Sequence, residues 1–272
     1  MLTSCARACE IGSLGRVVFL PEDTARVLGA KIPEQSENSG LTLSEDFLYR
    51  MKAKGCGVLY QSDAFADGTA FTMQELYKRR KNKDALDGKL LYSADKPDCW
   101  YFQDPLFNKQ TPRSGWRIAG RDVIPGTPEK NCVLQSLIVA GFVEELFGNE
   151  LSKDGKDAIT ELRGSATSLE KQCAGPDWQN GAKKWAKLKF AELFLPYSVE
   201  VLFQILLDQE INRERLFASR YGRTSRLSSG GFVVGVGGAG ADGAYLSGWG
   251  PGDRYGDLGC FLSCSAELWA PS

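Results

Sequence analysis

The chain has 272 residues, of which 43% are hydrophobic and 25% are charged, a balance that is ordinary for a soluble globular protein with a sizeable core. Its length fits one large domain or two small ones. The formal net charge is −1. It gives no electrostatic reason to expect binding to nucleic acid or to an anionic membrane, because both need an excess of positive charge on the protein.

Histidine is missing from the whole sequence. This excludes Ser-His-Asp and Cys-His catalysis, zinc sites with histidine ligands and acid–base chemistry by imidazole. An enzyme would have to work through cysteine, lysine, tyrosine, carboxylates or a cofactor. The composition therefore favours a protein that is not an enzyme, and we expect neither a metal nor a cofactor.

Eight cysteines are spread along the chain, at positions 5, 9, 56, 99, 132, 173, 260 and 264. The first twenty residues lack the apolar core and processing site of a signal peptide. We therefore expect a cytoplasmic location with free, buried thiols, and a virion or a cell surface is the alternative. No uninterrupted run approaches the roughly 20 apolar residues of a membrane span. The pairs Cys5-x3-Cys9 and Cys260-x3-Cys264 could together make a four-thiolate zinc site, but their spacing is weak evidence for one.

The N-terminal part of the chain is expected to be irregular. Residues 1–40 are interpreted as an arm with one short apolar run between Arg16 and Pro21, and residues 41–272 as the main domain. A helix is predicted from Leu41 to Met51, with Thr42 or Ser44 as its N-cap.

Three short strands are predicted in the next segment, at 57–60, 100–102 and 115–119. A well-signalled helix follows them, in which Thr127 is the cap, Pro128 takes the first turn and Gly148 lies near the end. Its apolar side chains recur at helical spacing, which predicts that the helix packs on a core.

Three further helices are predicted before the chain changes character. Residues 154–172 form a more exposed helix, 183–194 form another, and Pro196 opens a buried one. After about Ala218 the helical periodicity stops, and short strands with tight glycine turns are predicted. The whole pattern predicts an α+β fold in which these strands pack on the preceding helices.

The segment from Ser229 to Ser265 differs in composition from the rest of the chain. It reads SGGFVVGVGGAGADGAYLSGWGPGDRYGDLGCFLSCS. Thirteen of the 30 glycines lie between Gly222 and Gly259, and lysine, glutamate, glutamine, asparagine, methionine and isoleucine are absent from 220–265. So skewed a composition on a period-two framework needs an explanation of its own.

Residues 235–240 match the G-x-G-x-x-G motif of dinucleotide-binding proteins and follow a plausible strand at 232–234. Asp257 even lies about twenty residues further on, where a ribose-binding acid belongs. However, no apolar helical face follows the glycines, and Gly and Pro interrupt the next residues. We therefore reject a nucleotide site.

Two interleaved sets of residues can be separated in this strip. The framework set consists of Phe232, Val233, Val234, Val236, Gly237, Ala239, Ala241, Gly243, Ala244, Leu246, Trp249, Pro251, Gly256, Leu258, Gly259, Phe261, Ser263 and Ser265. Between them lie Gly235, Gly238, Gly240, Asp242, Tyr245, Ser247, Gly248, Gly250, Gly252, Asp253, Tyr255 and Asp257. The alternation at 238, 240 and 242, and again at 245 and 247, predicts that the interleaved set lies on one face of a strand.

This arrangement resembles the variable region of the proteins that are diversified by retroelements. In that family, reverse transcription with adenine-specific errors rewrites Asn-type codons at fixed sites of a C-terminal, C-type-lectin-like domain. Such codons can become Gly, Asp, Ser, Tyr, Arg or Leu codons but not Lys, Glu, Gln, Met or Trp codons. The twelve interleaved positions hold only Gly, Asp, Ser and Tyr.

The resemblance extends upstream of the strip. Residues 114–117 (SGWR), followed by PGT at 125–127, look like a segment of a related bacterial or archaeal group. Residues 195–200 (LPYSVE) resemble the Leu-Pro-Thr-x-x-Glu element of lectin-like domains of the formylglycine-generating-enzyme type. The calcium and sugar motifs of calcium-dependent lectins and the catalytic residues of formylglycine-generating enzymes have no counterpart here. Cys260 and Cys264 are therefore interpreted as core thiols.

The resemblance implies a C-type-lectin-like fold with a variable ligand-binding region over about 222–257. This region comprises the twelve interleaved positions and four earlier ones, Gly222, Arg223, Leu227 and Ser229. Tyr245 and Tyr255 are the expected anchors, because tyrosine supplies a large contact area at small entropic cost. The scaffold residues are Trp116, Phe232, Val234, Val236, Trp249, Leu258 and Phe261. Those that lie within the strip are expected to be buried, together with Leu246.

The implied function is binding of an unknown macromolecule, a protein or peptide, at a surface whose contact residues are diversified. Neither nucleic acid binding nor membrane insertion is expected, and the sequence leaves the oligomeric state open. Two alternatives stand beside it: a Cys- or metal-dependent enzyme on a formylglycine-generating-enzyme-like fold, and a structural adhesin of a virion.

Overall fold

Helices and short strands both contribute to the fold, as predicted for an α+β protein. The computed structural model describes residues 17–32, 43–85, 88–97 and 99–269. The strands are β1 (Val18–Phe19), β2 (Cys56–Gln61), β3 (Asp84–Ala85), β4 (Gly88–Lys89), β5 (Gly115–Gly120), β6 (Tyr221–Leu227), β7 (Val233–Gly237), β8 (Tyr245–Trp249), β9 (Leu258–Cys260) and β10 (Ser263–Ser265). The α-helices are α1 (Pro21–Leu28), α2 (Glu45–Ala53), α3 (Met73–Arg80), α4 (Pro105–Lys109), α5 (Cys132–Phe147), α6 (Lys153–Ala174), α7 (Trp178–Ala186), α8 (Lys189–Phe194) and α9 (Ser198–Asn212).

The first sheet joins distant parts of the chain in the order β1-β2-β5-β10. β1 runs parallel to β2, whereas β5 is antiparallel to both β2 and β10. Val58 of β2 lies opposite Ile118 of β5, and both side chains are buried in a core that also contains Phe47 of α2 and Val139 of α5. Two sheet residues and two helices thus meet in one apolar layer.

The second sheet has the order β8-β7-β6-β9 and contains most of the glycine-rich strip. β6, β7 and β8 form an antiparallel meander, and β9 runs parallel to β6. Val234, Val236 and Leu246 lie in a second core cluster with Phe203 and Leu206 of α9. Because strand side chains alternate, the opposite face of β7 and β8 carries the odd-numbered residues. β3 and β4 form a separate two-stranded hairpin.

Several helix starts follow the predicted caps and prolines, although α2 begins at Glu45 and not at the predicted Leu41. The Ser44 hydroxyl accepts a hydrogen bond from the Phe47 N–H (3.2 Å) and caps α2. α6 covers the predicted exposed helix, and α9 starts two residues after Pro196. These starts are encoded locally, by a capping side chain or a proline, so sequence alone reveals them.

Two further helix predictions are wrong in their bounds. α5 begins at Cys132, because the Asn131 side chain accepts the Leu134 N–H (2.9 Å), whereas Thr127 is buried and donates its hydroxyl to Ile124 O (2.6 Å). The helix predicted over 183–194 is two helices, α7 and α8, separated by a short break.

Two strand and loop predictions also differ from the structure. Residues 100–102 form part of a 3₁₀ helix, Trp100–Gln103, although three consecutive aromatic residues favour a strand. The predicted irregular arm contains β1 and α1, and Phe19 and Leu28 are buried in the core. A two-residue strand is too short for a periodicity argument, which explains why it was missed.

Two helical stretches, Cys132–Glu150 and Lys189–Asn212, are long and apolar enough to cross a membrane. Polar residues interrupt both stretches, so neither is a continuous apolar run in the sequence. In their most apolar windows 50% and 89% of the residues are buried inside the protein, as in core helices of soluble proteins, which meet the same criterion.

A buried ionic cluster at the start of α9 links the helices to the first sheet. The Glu200 carboxylate is 1% exposed and accepts two hydrogen bonds from the Arg113 guanidinium (2.7 and 2.8 Å) and one from the Tyr197 N–H (2.9 Å). Burial alone would raise the pKa of Glu200, but the charges of Arg113 and the nearby Arg117 bring it below its ordinary 4.5. The folded protein therefore holds this carboxylate ionised.

Replacing Glu200 with glutamine should destabilise the protein by about 3–5 kcal/mol at neutral pH, because the buried arginines lose their counter-charge. Since the folded-state pKa is lowered, the stabilisation is present above the unfolded value of 4.5 and is lost as the pH falls through the folded pKa. Urea unfolding should therefore show that the difference in unfolding free energy between the unchanged protein and Glu200→Gln becomes smaller at acidic pH. Glu144→Gln, at an exposed pair with Arg163, is the control and should cost less than about 1 kcal/mol at any pH. Equal losses for the two variants would contradict the proposed role of the cluster.

Candidate functional site

The interleaved residues of the strip occupy β8, the loops on either side of it and one position of β7, whereas three of the four earlier predicted binding residues lie in β6. β8 confirms the predicted alternation at 245 and 247: Tyr245 and Ser247 pair with Gly237 and Gly235 and share one face of the sheet. The same prediction is wrong for 238–242, which form the loop between β7 and β8. The 235–240 glycines lead into this loop and then into another strand, so no helix follows them.

The loop lies tightly against the segment that precedes the Trp100 helix. Gly243 has a φ of +91°, and a Cβ on it would come within 2.4 Å of the Leu91 carbonyl carbon. The Ala244 N–H donates to Leu90 O (3.1 Å), and the Tyr92 N–H donates to Ala244 O (3.0 Å). A glycine is therefore required at 243, because any side chain would separate these two segments.

A group of aromatic rings covers the outer face of the sheet. Tyr221 of β6 contacts Tyr245 (5.6 Å between ring centroids) and Trp249 (4.9 Å), and Tyr245 contacts Tyr92 (5.1 Å). The Trp249 ring lies over Gly235, where a Cβ would come within 2.5 Å of it. The four rings are half-buried and form a continuous apolar surface beside polar loops.

The first cleft lies along the outer side of β8 and has a volume of about 490 Å³. The interleaved residues that line it are Gly238, Gly240, Asp242, Tyr245 and Ser247. Ala241 and Leu246 of the framework set also line it, and its other walls come from outside the strip, chiefly from Tyr92 and from the 3₁₀ helix that contains Trp100. The cleft thus brings the variable set together with residues more than a hundred positions earlier.

The second cleft, of about 480 Å³, lies beside the loop that follows β8. Gly250, Gly252 and Asp253 line it, and Phe232 and Trp178 form an aromatic wall with their ring centroids 5.0 Å apart. The Asp253 carboxylate accepts the Gly250 N–H (2.8 Å), which fixes the turn at the end of β8. Asp253 is therefore part of the structure of the loop as well as part of its surface.

Thirteen of the sixteen predicted binding residues are at least partly exposed. Five are exposed, Ser229, Asp242, Gly248, Tyr255 and Asp257. Eight are half-buried, Leu227, Gly238, Gly240, Tyr245, Ser247, Gly250, Gly252 and Asp253. Three are buried, Gly222, Arg223 and Gly235.

The expected exposure of these three residues is wrong for a physical reason in each case. A Cβ on Gly222 would come within 1.9 Å of the Phe261 ring, and one on Gly235 would meet Trp249. Arg223 is 0% exposed although it is charged. The two glycines have no room for a different side chain, and the arginine serves an internal purpose.

The Arg223 guanidinium fixes the loop after β8 to the N-terminal end of α5. It donates to Asp253 O (2.7 Å), to Gln135 Oε1 (3.1 Å) and to Lys130 O (3.3 Å). Burial lowers the pKa of this guanidinium below its usual range. The Glu129 N–H also donates a hydrogen bond to Tyr255 O (2.9 Å), so a bond between backbones holds the loop as well.

Four of the predicted scaffold residues, Val234, Val236, Leu258 and Phe261, are fully buried, and so is Leu246. Phe232 and Trp249 differ from the prediction of burial, and Trp116, for which burial was not predicted, is the remaining scaffold residue. Phe232 is 42% exposed, because it precedes β7 and packs on Trp178. Trp249 and Trp116 are half-buried; Trp249 lies on the outer face of the sheet, and Trp116 packs edge-on against Tyr60 (5.7 Å).

Sequence reasoning missed the residues that other segments contribute to the site, namely Tyr92, Trp100, Trp178 and Tyr221. Trp100 is 40% exposed and lies near Gly248. An aromatic residue in a polar, irregular stretch is the one available signal for such a position, but it does not reveal which surface the residue joins.

The described cysteines are free and buried. Burial raises the pKa of the Cys260 and Cys264 thiols to about 12, and Cys260 donates to Gln135 Oε1 (3.2 Å). Both are thus neutral core thiols at physiological pH, and Cys5 and Cys9 lie outside the described residues. Among the residues that the structure describes, no three His, Cys, Asp or Glu side chains are placed to hold a metal ion.

The chain matches no protein-family model, no curated protein sequence and no solved structure.

Replacing Arg223 with methionine should lower the free energy of unfolding by about 2–4 kcal/mol, because buried carbonyl oxygens lose charged hydrogen-bond donors. Arg254→Met is the matched control: Arg254 is exposed, and its only described ion pair, with Glu170, is a surface pair. It should change the stability by about 0.5 kcal/mol or less. Urea titrations followed by tryptophan fluorescence measure both. If Arg223→Met lowers the free energy of unfolding no more than the control does, Arg223 is not structural and again counts as a predicted variable residue.

Proposed function

We propose that the protein is a non-enzymatic binding protein whose ligand contacts the exposed and half-buried members of the strip. The observation that carries the proposal is the division of the strip by burial. Thirteen of the sixteen predicted binding residues reach the surface, whereas Val234, Val236, Leu246 and Leu258 of the framework set are buried. Surface positions can change without loss of the fold, and buried ones cannot.

The two clefts favour a macromolecular ligand over a small molecule. Each is a broad depression in which aromatic rings adjoin exposed polar residues, Asp242 at the first and Arg254 at the second. Small-molecule sites enclose most of the ligand, whereas protein interfaces combine aromatic anchors with a polar rim. Tyr245 in the first cleft and Tyr255 on the exposed loop are the proposed anchors.

We propose further that the domain has a C-type-lectin-like fold and that its surface is diversified by a retroelement. The mixed helices and small sheets are compatible with such a fold. The main support for diversification is the sequence, in which exposed strip positions hold residues that altered asparagine codons can encode. Gly222, Arg223 and Gly235 are excluded from the diversified set, since changes there would damage the fold.

The alternative of a Cys-dependent enzyme has one observation in its favour. Cys173 lines the second cleft, and a hydrogen bond from Cys132 lowers the pKa of its thiol. A catalytic site also needs a group to accept or supply protons at the substrate. Cys260 and Cys264 do not serve, because their thiols are buried and neutral. The binding function accounts for more of the surface.

Simultaneous substitution of Ser229, Asp242, Tyr255 and Asp257 by alanine should change the free energy of unfolding by no more than about 1 kcal/mol, because exposed side chains contribute little to stability. The contacts that fix residues 255 and 257 use their backbone carbonyls. Leu246→Ala is the control for a buried position and should cost about 2–5 kcal/mol. Thermal and urea unfolding provide the comparison. A large loss in the quadruple variant would show that these residues are structural.

Diversification predicts a genomic arrangement that can be checked by sequencing. A reverse-transcriptase gene and a near-copy of the segment that encodes 220–265 should lie close to the gene. The near-copy should carry asparagine codons at the exposed interleaved positions and fixed codons for Gly222, Arg223 and Gly235. If neither element is present, the diversification proposal fails, while the proposal of a binding surface is tested separately by the substitutions.

A further inference from the structure

The first cleft combines aromatic walls with a single negative charge. Its aromatic lining residues are Tyr92, Trp100, Tyr101, Tyr221 and Tyr245. Among the described residues that line it, Asp242 is the one with a charged side chain. The faces of aromatic rings carry partial negative charge, so the rings and the carboxylate both favour a positively charged group.

The exposed Asp242 carboxylate forms no ion pair and no hydrogen bond with any residue that the structure describes. Other exposed aspartates of the chain do have cationic partners. Asp67 pairs with Arg79 (2.8 Å), and Asp122 pairs with Arg220 (3.3 Å). The charge of Asp242 is therefore available to a ligand.

The backbone next to Asp242 is fixed by contacts with other segments. The Lys89 N–H donates to Ala241 O (2.8 Å), and the Arg215 guanidinium donates to Gly240 O (2.6 Å). The loop thus holds the carboxylate in a constant place beside the rings. A ligand that pairs with it does not have to order the loop first, which preserves affinity.

A cation of the protein itself already lies on one ring of the cleft. The Lys96 ammonium is 4.5 Å from the centroid of the Tyr92 ring. The Tyr245 ring, 5.1 Å from that of Tyr92, continues the same aromatic surface within the cleft. These walls therefore suit a cation as well as an apolar group.

We propose that the first cleft binds an arginine side chain of the protein ligand. Its guanidinium would lie against the aromatic walls and pair with the Asp242 carboxylate. This inference rests on the proposed binding function and specifies the group that the ligand contributes to the cleft.

Arginine suits the cleft better than other groups do. A planar guanidinium can stack on a ring and at the same time donate two hydrogen bonds from its edge to a carboxylate. The lysine ammonium is a more strongly hydrated point charge and cannot stack in this way. A neutral group would leave the charge of Asp242 unpaired. The volume of about 490 Å³ has room for a whole arginine side chain and part of its backbone.

The cleft has a part outside the predicted variable set and a part within it. Four of the five aromatic residues lie outside that set, whereas Asp242 and Tyr245 belong to it. If the surface is diversified, most of the aromatic wall is common to all copies of the protein. Residue 242 would then determine the charge of the group that each copy accepts, and aspartate selects arginine.

The test uses the full chain and three blocked tripeptides, Ala-X-Ala, in which X is arginine, lysine or citrulline. Citrulline has the shape of arginine without its charge. NMR titration of the protein measures the affinities. The arginine peptide should bind about tenfold more tightly than the citrulline peptide and about threefold more tightly than the lysine peptide. High salt should weaken the arginine peptide most, because the ion pair is exposed.

Two substitutions place the binding in the cleft. Asp242→Asn should weaken the arginine peptide about fivefold and the citrulline peptide less than about twofold. Asp46→Asn makes the same change at an exposed residue of α2 and should alter neither affinity. Tyr245→Leu removes a ring but keeps an apolar side chain, and it should weaken the arginine peptide about threefold. Thermal unfolding checks that the three variants keep their fold.

Equal affinities of the arginine and citrulline peptides would overturn the inference, and so would arginine binding that Asp242→Asn does not weaken. Equal affinities of the arginine and lysine peptides would overturn the choice of arginine. Binders selected from a displayed protein library separate these failures from failure of the proposed function. If they depend on Tyr255 but not on Asp242, the inference is wrong and the binding surface stands. If they depend on no exposed residue of the strip, the proposed function itself fails.

Discussion

The buried guanidinium of Arg223 is the interaction on which the arrangement of the strip depends. It reaches the carbonyl of Asp253, and the side chain of Gln135 connects it to α5. Gln135 in turn donates to Thr127 O (2.9 Å) and to Leu258 O (2.8 Å). One polar network thus joins β6, β9, α5 and the loop after β8. A buried charge without a carboxylate partner needs such a set of oxygen acceptors, because water is excluded.

The consequence for the surface is that its backbone is fixed from within. The loop that carries Tyr255 and Asp257 is held through main-chain carbonyls, which every amino acid has. Gly235 also contributes to the fixed framework, because its lack of a side chain leaves room for the Trp249 ring to lie on the sheet. The side chains of Tyr255 and Asp257 therefore do not fix the position of the chain that carries them, whereas the Asp253 carboxylate fixes its own turn through the Gly250 N–H. A binding surface can vary in chemistry on such a framework and still keep one shape.

Local features of the fold were predictable from sequence, and features that depend on distant contacts were not. Ser44 and Pro196 mark helix starts by their own chemistry, and the apolar residues of β7 and β8 mark the buried face by their period. The burial of Arg223 depends on oxygen atoms contributed by Lys130, Gln135 and Asp253, and no local pattern encodes it. The partial exposure of Phe232 and Trp249 could not be predicted from local sequence either. Both are large and apolar, but no further layer of the protein covers them.

The position of β8 at the edge of its sheet also bears on how the protein avoids self-association. A long exposed edge strand in a glycine-rich sheet can recruit the same strand of another copy and begin an aggregate. Here Leu90–Tyr92 occupies one end of the edge and the Asp253 carboxylate occupies the other. Leu246, which lies between them, is only 2% exposed, so a second copy meets no continuous row of free backbone donors and acceptors along this edge. The protein can therefore keep an edge strand in a glycine-rich sheet without presenting a template for fibril growth.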